Sequence, residues 1–198
     1  MALFIPTYFS PIIQYQEIIK YKDIVFEVED NFQKQSYRNR CYIYNTNGKQ
    51  LLNIPVKHPK NSDRKKTKDT RIENDENWQD QHFKSLKTAY RNSPFFEFYV
   101  DDLLPIFEKK YTFLQDLNID TFLFINDALQ LDINFKKSNT YITNNNVLDF
   151  RDLADSKNKP EIQAKKYIQM FDLKHGFLPN LSILDLLFME GPNSTCLL

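Results

Sequence analysis

Short apolar runs broken by polar turns occupy residues 1–73, and a helical spacing of apolar residues takes over after them. Leu3-Phe4-Ile5 predicts a buried strand. Ser10-Pro11 predicts a helix start: a side-chain acceptor is followed by a residue whose missing N–H costs nothing in a first turn. Ile12, Tyr15 and Ile19 keep helical spacing, widened by Ile18, and carry that helix to about Tyr21. Ile24 to Val28 predicts a second strand. Strand, helix and strand within about thirty residues make a βαβ unit, with parallel strands and a right-handed crossover. Tyr42-Ile43-Tyr44 and Leu51 to Val56 flank Asn45-Thr46-Asn47-Gly48, which predicts a hairpin with Asn47-Gly48 at its turn. Pro55 marks a strand end or edge, and Thr70-Arg71-Ile72 predicts a last short strand.

From residue 76 the spacing is helical. Trp78, His82, Leu86 and Ala89 share one face of a helix over Glu76 to Tyr90, which Pro94 ends. Further helices are predicted over Leu103 to Leu117, with Pro105 in the first turn, and over Thr121 to Leu131. Another runs from Leu181 to Glu190, with Ser182 as its cap and Gly191-Pro192 as its stop. Residues 134–159 are rich in Asn and Lys and predict irregular chain, and 160–171 a helix. The expected fold is α+β in a single domain of 198 residues. A mixed sheet in residues 1–73, opened by the βαβ unit and the hairpin, is covered by a mostly helical half, 76–198.

Composition narrows the function classes. Lys plus Arg and Asp plus Glu both number 26, so net charge gives no case for a nucleic-acid partner. No apolar run reaches the roughly 20 residues that cross a bilayer. The opening Met1 to Pro6 is too short and lacks the basic residues of a signal peptide, so a cytoplasmic protein is expected. Cys41 and Cys196, the two cysteines, give no disulfide framework. No histidine pair has metal-ligand spacing, so no metal site is expected, and no cofactor is specified.

The densest polar stretch is Val28 to Arg40, VEDNFQKQSYRNR, set between two predicted strands. It is either a solvated loop or a loop aimed into a site. The forked donors of Arg38 and Arg40 suit carboxylate or phosphate. This stretch also resembles part of the WbqC-like family, proteins encoded among bacterial surface-polysaccharide genes. Four pieces in order carry the resemblance: Pro6-Thr7-Tyr8-Phe9-Ser10-Pro11; an apolar strand ending in acid, then Asn39-Arg40; Leu52-Asn53-Ile54-Pro55-Val56; and a C-terminal part, Tyr167 to Phe171 with Leu181 to Leu187. The resemblance implies a role in glycan biosynthesis and supplies no mechanism.

Candidate chemistry follows from residue types. No glycine fingerprint follows the first strand, which excludes a dinucleotide or P-loop site. Tyr8 and Phe9 either stack on a sugar or base, or pack the helix start. His82 is either a hydrogen-bonded core residue or a general base oriented by Asp30. His175 reads as a turn residue and His58 as a solvated one. Residues 57–69 form a basic loop, either solvated or a lid over an anion, in which Lys57 is the best candidate. Asp185, alone in an apolar helix, needs a partner if buried: it is either structural, bridged to an arginine such as Arg38 or Arg40, or catalytic. Cys41 reads as an inert core residue with a thiolate nucleophile as the alternative.

The expected function is transfer of an acyl or aminoacyl group to the amine of a nucleotide-linked sugar. His82 and Asp30 are the candidate catalytic residues. Tyr8, Phe9, Gln33, Arg38, Asn39, Arg40 and Lys57 are the candidate substrate-binding residues. Arg38 is expected to face the ligand and Arg40 to be structural. The alternative is a non-catalytic partner of a sugar-modifying enzyme, docking through Pro94 to Tyr99, and self-assembly as a homo-oligomer is also compatible.

Overall fold

Ala2–Phe4 (β1) and Asp23–Phe26 (β2) run parallel, pairing Ala2 with Ile24 and Phe4 with Phe26, and helix Ile12–Ile18 (α1) joins them. The βαβ unit therefore forms as its apolar spacing requires. This is a computed structural model; it describes residues 1–57, 65–143, 146–157 and 165–198. Pro11, in extended backbone, caps α1. Ser10 instead bonds Thr7 across the turn, Oγ to Oγ1 at 2.6 Å, so its side chain is used up before the helix begins.

Arg40–Asn45 (β3) and Gly48–Asn53 (β4) form the expected hairpin, but as a separate two-stranded sheet. Its turn centres on Thr46-Asn47, one residue earlier than expected. Gly48 alone takes the positive φ, +96°. The Asn45 side chain closes the turn by accepting from the Asn47 N–H at 2.7 Å, an arrangement that asparagine favours.

Three long helices follow: Trp78–Tyr90 (α2), Phe96–Glu108 (α3) and Leu114–Ala128 (α4). The last two are out of phase with the expected boundaries, and Pro105 sits near the end of α3 rather than in its first turn. There its missing N–H removes a single helical bond. The main sheet is completed by Asn134–Lys137 (β5) and Leu148–Asp149 (β6), in the order β5-β2-β1-β6 with every pair parallel. These strands come from the stretch expected to be irregular. Asp172–His175 (α5) is a single turn, so the described residues of the predicted 160–171 helix are not helical.

Ile183–Glu190 (α6) is capped by Ser182, whose hydroxyl accepts from the Leu184 N–H, and a short turn, Ser194–Leu197 (α7), follows it. The fold is α+β. One apolar core runs under the sheet, the hairpin and the helices, with Phe4, Phe26, Leu103, Ile125 and Leu187 all buried in it.

Candidate functional site

Strand order decides where the site lies. The chain steps from β1 outward through β2 and β5, then returns to the other side of β1 as β6. Loops leaving β1 and β6 therefore diverge, and crevices at the carboxyl ends of parallel strands form where this happens. A cleft of about 880 Å³ opens there. Each of the four strands sends a segment to it: Ile5 after β1, Glu29, Asp30 and Asn31 after β2, Tyr141 after β5, and Arg151, Asp152 and Asp155 after β6. Gln33, Arg38, Lys66 and Lys157 complete the lining.

The acidic turn after β2 is fixed by backbone. Segment 28–32 runs against 65–68, through Phe32 N–H to Lys65 O, Thr67 N–H to Asp30 O and Lys68 N–H to Val28 O. This brings Lys66 and Lys68 onto the Glu29 carboxylate, at 2.5 and 2.6 Å. Their hydrogen bonds hold Glu29 below the usual carboxylate range. Asp30 Oδ2 meets Arg38 Nη2 at 2.5 Å, both side chains being buried. Asn118 of α4 holds this wall from behind, donating to the Arg38 and Pro6 carbonyls at 2.8 and 3.0 Å. Asp30 Oδ1 and Arg38 Nε are buried with no hydrogen-bond partner among the described residues, a state they share with Arg40 Nε and Asn118 Oδ1. Buried polar groups are nearly always paired, so this wall is held at some cost in stability.

Glu27 ties the opposite wall together. It is fully buried at the end of β2. Its Oε1 accepts from the Glu29 N–H and the Ser138 hydroxyl, and its Oε2 from the Ile142 N–H. Arg151 Nη1 lies 3.7 Å from the same Oε2. Arg151 is also gripped by Asp149 through Nε and Nη2, which pushes its pKa up, and its guanidinium lies 4.8 Å from the Tyr141 ring centre.

The remaining candidates lie elsewhere. Tyr8 and Phe9 are core residues, and Phe9 sits at φ +38°. Tyr8 OH bonds His82 Nδ1 at 3.0 Å, and the His82 ring packs against Trp78. Burial lowers the His82 pKa to about 4, opposed by a hydrogen bond with the Asn53 backbone. The expected pairing of His82 with Asp30 is not made. Asp30 is taken by Arg38, and His82 is buried against Tyr8 and Trp78. Asn39 donates to Ile54 O and Asn53 Oδ1, bracing the hairpin base. Arg40 and Lys57 line a smaller cleft of about 350 Å³, where Lys57 pairs with Glu73 at 3.5 Å.

Arg38, expected to face a ligand, is both a cleft residue and half of a buried ion pair. Asp185 meets neither arginine. Tyr90, Tyr167 and Gln169 donate to it, and burial raises its pKa. Burial also pushes up the Cys41 thiol, which disfavours the thiolate a nucleophile needs. His175 bonds the Thr46 carbonyl, while His58 lies outside the described residues. No group of three or more His, Cys, Asp or Glu among the described residues could hold a metal ion.

The sequence pattern of the WbqC-like protein family matches residues 6–169. The chain belongs to the WbqC-like protein family. No curated protein and no solved structure matches it significantly. The WbqC-like match includes the turn after β2, Arg38, Tyr141 and Arg151, and so nearly the whole cleft lining; Ile5 precedes it. It ends before α6, so the Leu181 to Leu187 run lies beyond the matched residues. No described helix is long and apolar enough to cross a membrane.

Proposed function

We propose that the cleft at the β1/β6 divergence binds a nucleotide-linked amino sugar, and that the protein is a cytoplasmic transferase of surface-polysaccharide assembly. The observation that carries this is a polar cleft at the carboxyl ends of the parallel strands, with the buried Asp30–Arg38 ion pair in its wall. Asp30, lining the cleft, accepts from the sugar amine, while Arg38 and the amide of Gln33 bind oxygens of the sugar. The cleft lining mixes Arg38, Lys66, Arg151 and Lys157 with Glu29, Asp30, Asp152 and Asp155. That balance suits a ligand carrying both an amine and phosphates.

The reaction is acyl or aminoacyl transfer. The amine nitrogen attacks the donor's carbonyl carbon and the N–C bond forms. The bond to the donor's leaving group breaks with its electron pair. The amine proton leaves with the departing group, so the step balances, while Asp30, held against Arg38, orients the amine. His82, buried on Tyr8, supports the wall and does not take this proton.

A thermal-shift screen with nucleotide-linked amino sugars, acyl-CoAs and amino acids tests the reading. A ligand at a hundred times its dissociation constant adds about 2.7 kcal/mol of stability. Stabilisation that survives Asp30→Asn and Arg38→Lys unchanged would remove the cleft from the reading.

A second reading has its own observation. Phe98, in the run expected to dock a partner, is 78% exposed and lines a groove with Tyr99 and Phe124, edged by Asp102 and Asp127. A non-catalytic partner of a sugar-modifying enzyme would dock there, and Phe98→Ser would abolish the association without touching ligand binding at the cleft.

A further inference from the structure

Tyr141 is a large aromatic side chain left 52% exposed at the mouth of the cleft. Single exposed aromatics are common on protein surfaces. This one is unusual in how its backbone is held. The next residue, Ile142, is clamped at both polar atoms: its N–H donates to Glu27 Oε2 at 2.8 Å, and its carbonyl accepts from Arg151 Nη1 at 3.1 Å. Glu27 is a fully buried charge, and Arg151 is itself locked by Asp149. Two charged groups thus immobilise a short loop whose nearest product is an exposed ring. Rigid aromatic surface presented in advance is what stacking recognition requires, because little entropy remains to be lost on binding.

We propose that Tyr141, backed by Arg151, is the platform on which the nucleobase of the bound nucleotide stacks. This rests on the cleft reading above. The Arg151 guanidinium occupies one ring face and draws on its π density. The other face is then better matched to a π-bearing base than to the C–H groups of a pyranose. The platform lies after β5 and the Asp30/Arg38 pair after β2, so base and sugar would sit against different walls of one cleft. Glu27 is a positioning residue in this arrangement. It touches no ligand and acts through Ile142 and Arg151.

The test measures binding by calorimetry for the nucleoside 5′-diphosphates of A, C, G, U and T and for free glucosamine. Proteins compared are the wild type, Tyr141→Ala, Tyr141→Phe and Tyr141→Trp. The expected result is that at least one nucleoside diphosphate binds. Tyr141→Ala then weakens it by about fivefold or more, Tyr141→Phe leaves it within about twofold, and the added tryptophan is quenched by that ligand. Glucosamine binding stays unchanged in all variants. Glu27→Gln should weaken the nucleotide like Tyr141→Ala, while the glucosamine affinity reports that the fold and the other wall persist.

Equal nucleotide affinity in the wild type and Tyr141→Ala would overturn the platform and leave the cleft reading standing. Loss in Tyr141→Phe equal to that in Tyr141→Ala would also overturn it, because the hydroxyl rather than the ring face would be responsible. Binding of glucosamine with no nucleotide would again remove the base platform alone. Binding of no probe to the wild type would bring down the cleft reading and the platform together.

Discussion

Asp30 and Arg38 form an ion pair that is closed at one end and open at the other. Oδ2 and Nη2 are 2.5 Å apart, while Oδ1 and Nε, removed from solvent, have no partner among the described residues. Each unpaired buried polar atom costs roughly 1–3 kcal/mol, so the pair is less stabilising than full pairing would make it.

Removing one member should therefore unfold more than it unbinds. Arg38→Met strands the Asp30 carboxylate and should cost roughly 3–5 kcal/mol. Adding Asp30→Leu should return part of that loss. Urea titration of the four proteins of this cycle gives the coupling directly, and a coupling near zero would show that the two residues do not act as a pair.

Arg40→Met should behave differently. Arg40 is half-buried at the start of β3, and no carboxylate among the described residues pairs with it. The expected cost is within about 1 kcal/mol. A loss as large as that of Arg38→Met would mean that Arg40 has the structural role the sequence suggested for it.

Acid should weaken the fold through His82. Its folded pKa, about 4, lies below the unfolded value of about 6.5. The unfolded chain therefore takes up a proton that the native state refuses. Stability from this residue is complete above about pH 6.5 and is lost as pH falls toward 4, by up to about 1.4 kcal/mol per pH unit. In His82→Phe the dependence of unfolding free energy on pH over this window should flatten. An unchanged slope would place the acid sensitivity elsewhere.

Two glycines should fail for separable reasons. A Cβ at Gly191 would lie 2.5 Å from the Phe95 ring, so Gly191→Ala should cost about 1–3 kcal/mol. Phe95→Leu in the same chain should relieve part of this clash. A Cβ at Gly48 would meet the His175 ring only at an ordinary contact distance, 4.0 Å, but the φ there is +96°, so Gly48→Val should lose roughly 1–3 kcal/mol to backbone strain. Thermal melts that left both variants unchanged would contradict the turn geometry at 48 and the packing at 191.

Local pattern was enough for what depends on neighbours in sequence. The βαβ unit, the hairpin, the Trp78-His82-Leu86-Ala89 face of α2 and the Ser182 cap could all be read from spacing and residue type. Each is decided by contacts within a few residues or by one buried face. The start of α3 was not legible, because Pro105 reads as a first-turn residue, whereas it sits late in the helix between the buried Leu103 and Ile106, whose packing offsets its lost bond.

Tertiary structure decided the rest. β5 and β6 are the two edge strands, and most of their side chains are exposed. With Phe135 as its one core-packed side chain, Asn134 to Lys137 carries no apolar alternation, and a polar edge also discourages pairing with other chains. Without β6 there is no divergence beside β1, so neither the cleft nor the roles of Tyr141 and Arg151 could be inferred from spacing. In an extended segment Arg38 and Arg40 would share one face. The chain turns between residues 35 and 39 instead, with Gln35 at φ +60°, and sends the two guanidiniums to different clefts. Asp30, Gln33 and Arg38 were visible as chemistry in the sequence, but which charge each would meet depended on segments far away along the chain.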